Sequence, residues 1–151
     1  KDTGIDFSYL TLHVGGGTFL PVKSENIADH LMHSEKGHIS QQTAMEINQT
    51  KRAGGRIIAV GTTSARLLEA ATSNDFCSPF DDETKIFIKP GYCFNLVDGL
   101  ITNFHLPKST LIMLVAALIG VEESKKLYSH AIQKKYRFYS YGDSSLLFKK
   151  S

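Results

Sequence analysis

Only two of the 151 residues are cysteine, Cys77 and Cys93, and their spacing matches neither a metal knuckle nor a redox pair. Two reduced thiols are expected, as in a cytosolic protein, rather than a disulfide scaffold. No apolar run reaches the ~20 residues that a bilayer-spanning helix needs. The longest, Leu111 to Gly120, reads as a buried helix. The opening Lys1-Asp2-Thr3-Gly4 has no charged start, apolar stretch or cleavage site of a secretory signal, so a cytoplasmic location without a membrane partner is expected. Internal repeats and low-complexity tracts are missing too. Neither sign of charge dominates: 17 Lys and Arg stand against 15 Asp and Glu, a net charge of +2, too even a balance to name a partner.

What remains is a chain that is 42% hydrophobic and 21% charged, ordinary for a globular domain. At this length one domain over 1–151 is expected, with roughly two thirds of its unfolded surface buried. Positive charge is unevenly spread. Lys125, Lys126, Lys134, Lys135 and Arg137 gather near the C-terminus, with Lys149 and Lys150 after them, and Lys51, Arg52 and Arg56 form a second group. Such patches suit phosphate backbones, but mixed charged surfaces are the norm, so a solvated face is the favoured reading.

Strand and helix signals alternate. Phe7 to Val14 alternates as a strand and runs into Gly15-Gly16-Gly17. Ser24 offers an N-cap for a helix from Glu25 to Leu31, and Ser40 one for a helix through Ala44, Ile47 and Thr50 to Gly54-Gly55. Arg56 to Val60 is nearly all apolar, as in a strand covered on both faces of a parallel sheet. Gly61 breaks it, and Thr62-Thr63-Ser64 opens a helix. Residues 72–84 read as a surface loop, 85–89 and 100–104 as strands, 109 onward as a helix capped by Ser109. A last helix over about 122–134 and a closing strand over 138–141 complete an α/β pattern, in which ligands lie beyond the carboxyl ends of the strands.

Five segments carry candidate chemistry. In Thr11 to Phe19 a histidine, His13, precedes Gly15, Gly16, Gly17 and Thr18, whose backbone N–H groups can approach a ligand closely; a plain glycine-rich bend is the alternative. Val60 to Arg66 leads a buried strand into a helix start, which aims Thr62, Thr63 and free amides at an anion with Arg66 one turn on; otherwise the threonines merely cap the helix. His30 and His33 lack a partner pair at metal-ligand spacing, so no metal is expected. If that stretch is extended, His33 and Glu35 point to one side together. In Thr102 to Thr110, Asn103 and His105 end a strand, and Pro107 stiffens a turn presenting Lys108 and Ser109, a cluster suited to proton transfer and anion binding. Tyr136 to Asp143, including Tyr141, interleaves aromatics with charge, a pattern found both in base-stacking surfaces and in ordinary aromatic strands.

Taken in order, TLHVGGGTF (11–19), HLMHSE (30–35), IAVGTTSARLLEA (58–70), IKPGY (88–92), TNFHLPKSTLIMLV (102–115) and RFYSYGD (137–143) resemble the S-adenosylmethionine:tRNA ribosyltransferase-isomerase family of queuosine biosynthesis. The resemblance covers almost the whole chain. It implies transfer and isomerisation of the ribosyl group of S-adenosylmethionine onto 7-aminomethyl-7-deazaguanine at the tRNA wobble position. The products would be epoxyqueuosine in tRNA, adenine and methionine. S-adenosylmethionine is then a consumed substrate, and neither cofactor nor metal is expected. In that chemistry the sulfonium acidifies the C5′ hydrogens, a base removes one, adenine leaves, the aminomethyl nitrogen attacks, and methionine departs as an epoxide forms. Within that chemistry the residues themselves suggest His105 or His13 for the proton transfers, with His33 and Glu35 as further catalytic candidates. Thr62, Thr63 and Arg66 would hold the methionine carboxylate or a tRNA phosphate, and Asn103 and Lys108 the ribose or base.

Relatives of this kind are longer, with a Pro-Thr-Ala-Gly-Leu-His-Phe-like segment and an inserted β-barrel domain, neither of which occurs here. The expected fold is therefore a barrel-like alternation of strands and helices, the C-terminal half of the family's larger α/β domain, with the N-terminal half as a possible partner. Two other readings stay open: an S-adenosylmethionine-dependent methyltransferase, and a catalytically incomplete fragment that binds tRNA or nucleotides.

Overall fold

A computed structural model describes residues 4–15 and 32–150. The glycine run's Gly16, Gly17 and Thr18, and the helix expected over 25–31, lie outside the described residues. Among the described residues, eight strands and four α-helices follow in the order β1 (Thr11–His13), β2 (Glu35–Ile39), α1 (Gln41–Arg52), β3 (Ile58–Val60), α2 (Thr62–Ala70), β4 (Thr72–Ser73), β5 (Phe76–Cys77), β6 (Phe80–Thr84), β7 (Gly99–Asn103), α3 (Thr110–Ile119), α4 (Val121–Gln133) and β8 (Ser144–Phe148).

The class is α/β, as expected, but the described strands form open sheets and do not close a barrel. One sheet runs β1-β2-β6, all antiparallel; a second runs β3-β7-β8; β4 and β5 make a small hairpin. Three strands leave both outer edges of a sheet unpaired, far short of the ~8 that enclose a barrel. In the second sheet β3 is parallel to β7, and β8 is antiparallel to it. Helix α2 packs on β3 and β7 and also reaches β1 and β4. Its Ala65, Leu67 and Leu68 join Ile39, Leu100 and Leu114 in one apolar core. Gly37 of β2 permits this approach, because a Cβ there would sit 2.4 Å from Leu67 Cδ1.

Both serine caps form where the sequence places them. Ser40 Oγ accepts from Thr43 N at 3.1 Å and Ser109 Oγ from Ile112 N at 3.2 Å, each worth about 1 kcal/mol. Gly61, at φ 93°, makes the left-handed turn between β3 and α2 that a side chain would resist.

Five expectations are corrected. The first strand is only Thr11–His13. Residues 72–84 are not a loop: Thr72 to Cys77 is a hairpin whose two-residue turn, Asn74 and Asp75, has positive φ, and Phe80–Thr84 is strand β6. Residues 85–89 are irregular, and the strand at the C-terminus is Ser144–Phe148, because Tyr139–Tyr141 coils into a 3-10 turn. Arg56 to Val60 is not covered on both faces: Val60 is 66% exposed and β3 is an edge strand.

Candidate active site at the carboxyl ends of β3 and β7

β3 and β7 run side by side, so their carboxyl ends deliver two loops to one edge of the sheet. Gly61 N donates to Ile101 O at 2.8 Å, which places Gly61-Thr62-Thr63 next to Thr102-Asn103-Phe104-His105. Thr62 is buried and Thr63 half-buried at the α2 N-terminus. No side chain caps that helix, so its first amides keep their positive end for an anion. Asn103 is exposed and lies opposite Ser144 of β8.

His105 turns inward. Its ring Nε2 is 2.8 Å from Thr102 Oγ1, and its backbone N–H donates to Tyr128 Oη at 2.9 Å. Only 8% of the residue is exposed, and this burial pushes the imidazole pKa down to about 4, so the ring is neutral at pH 7. The Tyr128 phenol is pushed up by the same burial. Beside them opens a cavity of about 280 Å³, walled by Phe104, His105, Pro107, Tyr128, Tyr136 and Phe138. Phe104 meets Tyr128 edge-on at 5.6 Å and Tyr136 at a tilt at 5.9 Å.

The other predicted residues are dispersed. Lys108 is exposed on the turn beyond His105, at φ 59°, while Ser109 is buried and donates to Leu106 O at 2.8 Å besides capping α3. Asp143 accepts from Arg137 N at 2.7 Å and from Arg137 Nη2 at 2.9 Å, closing the aromatic turn that contains Tyr141. That pairing lowers the Asp143 pKa and raises that of Arg137. His13 and Gly15 are exposed in or just after β1, in the other sheet. His33 and Glu35 do not share a setting: His33 is exposed, Glu35 is 1% exposed and bonded to Arg66 Nη1 at 2.5 Å. Arg66 therefore crosses to β2 instead of lying along the α2 N-terminus. Its Nε donates to Ile86 O at 3.4 Å, and its buried Nη2 has no hydrogen-bond partner. Among the described residues no group of three His, Cys, Asp or Glu side chains is placed to hold a metal, and no helix is long and apolar enough to cross a membrane.

Two features escape a reading of the sequence. Tyr128, Ala131 and Ile132 of α4 stand at i, i+3 and i+4, a face that periodicity reveals but whose facing aromatics it does not. Glu69, only 3% exposed, accepts from Tyr92 Oη, Asn95 N, Leu96 N and Val97 N at 2.9–3.0 Å. It ties the chain ahead of β7 to α2.

The profile of one family, described as queuosine biosynthesis protein, matches residues 1–147. An S-adenosylmethionine:tRNA ribosyltransferase-isomerase of Zymomonas mobilis is 60% identical over 151 residues, covering 99% of this chain and 44% of the relative. One from Caulobacter vibrioides is 58% identical over 150 residues, covering 99% and 41%. The crystal structure of an S-adenosylmethionine tRNA ribosyltransferase from Thermotoga maritima superposes with a TM-score of 0.77 at 38% identity, over 95% of this chain and 45% of that one. The chain thus spans less than half the length of these relatives.

Proposed function

Because the chain belongs to the queuosine biosynthesis protein family, we propose that it supplies the C-terminal part of an S-adenosylmethionine:tRNA ribosyltransferase-isomerase. The reading rests on the 60% identity to the Zymomonas mobilis relative along the whole chain. The substrates would be S-adenosylmethionine and a tRNA carrying 7-aminomethyl-7-deazaguanine, acted on in the cytoplasm without a resident cofactor.

The polar groups at the sheet edge divide the work. The α2 N-terminus with Thr62 and Thr63 offers amides and hydroxyls to an anionic group. Asn103, exposed beside it, can hold a ribose hydroxyl. His105 is the better placed of the two histidines for proton transfer, since it sits on that edge with its ring Nε2 2.8 Å from Thr102 Oγ1. His13 lies in the other sheet. Lys108, on the turn past His105, suits a phosphate of the tRNA. The Arg66–Glu35 pair holds α2 against β2, and the buried Arg66 Nη2 is left without a hydrogen-bond partner.

The test is adenine release from S-adenosylmethionine in the presence of the modified tRNA, with and without the N-terminal part of the Zymomonas mobilis relative. Release in the mixture alone supports the proposal. No release, with the intact relative active in parallel, leaves a binding fragment. S-adenosylhomocysteine as product would favour a methyltransferase.

A further inference from the structure

The aromatic cavity beside His105 has no role in the chemistry above, yet it is the most built feature of this edge. Its walls are planar rings: Phe104 and Tyr128 from below, Tyr136 and Phe138 from the segment after α4. The last two are 46% and 44% exposed, Phe138 stacking on Tyr139 at 6.3 Å, so part of each ring is open to a visitor. The polar groups inside already have partners, His105 Nε2 with Thr102 and Tyr128 Oη with the His105 amide. The ring faces make up most of the wall, so a ligand is held mainly by its faces, with the Tyr128 hydroxyl left to donate to one edge.

The backbone is strained around this cavity and hardly anywhere else. Five described non-glycine residues have positive φ. Asn74 and Asp75 form the hairpin turn, where that geometry is required. The other three, Lys108, Lys135 and Tyr139, each adjoin a wall: Pro107, Tyr136 and Phe138. Strain that the surrounding fold maintains tends to gather at binding sites.

Charge selects the visitor. Residues 104–142 contain six Lys and Arg and two Glu. Both glutamates lie in the first turn of α4, paired with Lys125 and Lys126, whereas Lys134 and Lys135 stand at its other end, next to Tyr136. Arg137 is already bonded to Asp143. A polyanion is favoured over an apolar peptide. Size narrows it further: 280 Å³ lies just under the ~300 Å³ at which pockets begin to take whole drug-sized ligands, so one ring system fits and an entire S-adenosylmethionine does not.

We infer that this cavity is a stacking site for one unpaired base of a single-stranded RNA segment, with Lys134 and Lys135 on the adjoining phosphates. Stacking of this kind tolerates any base. The inference deepens the tRNA reading and rests on it for the identity of the RNA.

The probe is a short single-stranded RNA carrying one 2-aminopurine, titrated into the chain, which contains no tryptophan. The expected result is quenching of the 2-aminopurine, weakening with salt. Tyr136→Ala and Phe138→Ala should each weaken binding roughly tenfold, with circular dichroism unchanged because both side chains are half-exposed. Absence of quenching, or quenching that survives the double substitution, overturns the inference. So does full competition by S-adenosylmethionine, which would give the cavity to the adenine of the donor. Adenine release by the native chain together with the relative's N-terminal part, with no quenching of the probe by that native chain, would sink the stacking site and leave the proposed function standing; quenching by the native chain without adenine release would do the reverse.

Discussion

At the scale of single residues, His105 links the site to the stability of the fold. Its neighbours are Thr102, Tyr128 and apolar rings, and none carries a charge that would favour the imidazolium. Burial alone lowers its pKa to about 4, against 6.5 when unfolded. Below about pH 6.5 the unfolded chain therefore takes up a proton that the folded chain refuses. Stability falls as pH drops from 6.5 towards 4 and levels off below that, by at most about 3 kcal/mol. Urea denaturation as a function of pH should show this acid limb for the native chain. His105→Gln, which keeps a polar side chain but does not titrate, should flatten that step while leaving the carboxylate titrations below it. An unchanged limb would show that His105 is protonated as easily folded as unfolded.

At the scale of elements, α4 ends in a motif that explains the strained lysine. Tyr136 N donates to Ala131 O at 2.9 Å and Lys135 N to Ile132 O at 3.1 Å, the paired bonds of a Schellman C-cap, in which the left-handed position is ordinarily glycine. Here it is Lys135, at φ 55°. Lys135→Gly should raise stability by about 1 kcal/mol, read as a higher urea midpoint, and at the same time weaken RNA binding. A stabilised variant with unchanged RNA affinity would mean that the lysine is only tolerated there. The elements also show what the sequence discloses. Ser40, Ser109 and Gly61 act through neighbours within four residues, so caps and turn were legible. Phe80-Asp-Asp-Glu-Thr84 reads as loop because its side chains are polar. It is a strand because β2 supplies a full ladder from Glu35↔Thr84 to Ile39↔Phe80, a long-range fact that outweighs propensity. The aromatic run 138–141 reads as strand for its propensity, yet Tyr139 turns left-handed and Arg137 grips Asp143 across it. The same limit applies to the site. Asn103, His105 and the α2 start were legible as ends of predicted strands, whereas the aromatic cavity was not, since Phe104, Tyr128 and Tyr136 meet only once α4 has packed.

At the scale of the whole molecule, the sheet β3-β7-β8 is finished on one side only. Ala59, Leu100 and Leu147 face the core at 2%, 0% and 7% exposure. The register sets Val60, Ile101 and Leu146 abreast on the opposite face, with Ile58 and Phe148 one pair further along. There Val60 is 66%, Leu146 55% and Phe148 45% exposed, and the Arg56 guanidinium lies over the Phe148 ring. A sheet containing a parallel pair is ordinarily covered on both faces, and β3 adds an open edge that can pair with another strand. Contiguous apolar surface of this kind drives association: each such side chain gains about 1.5–3 kcal/mol when fully buried. The chain alone should therefore self-associate through this face, in a concentration-dependent way visible by sedimentation velocity. Val60→Lys with Leu146→Lys places two like charges on the patch without touching Ala59, Leu100 or Leu147, and should shift the distribution to monomer at unchanged secondary structure. In relatives more than twice as long, the remaining chain is available to cover the same face. The N-terminal part of the Zymomonas mobilis protein should then suppress self-association of the native chain and fail to bind the doubly charged variant. Self-association that the two lysines leave intact would place the contact elsewhere, with the aromatic segment 136–139 the next surface to charge.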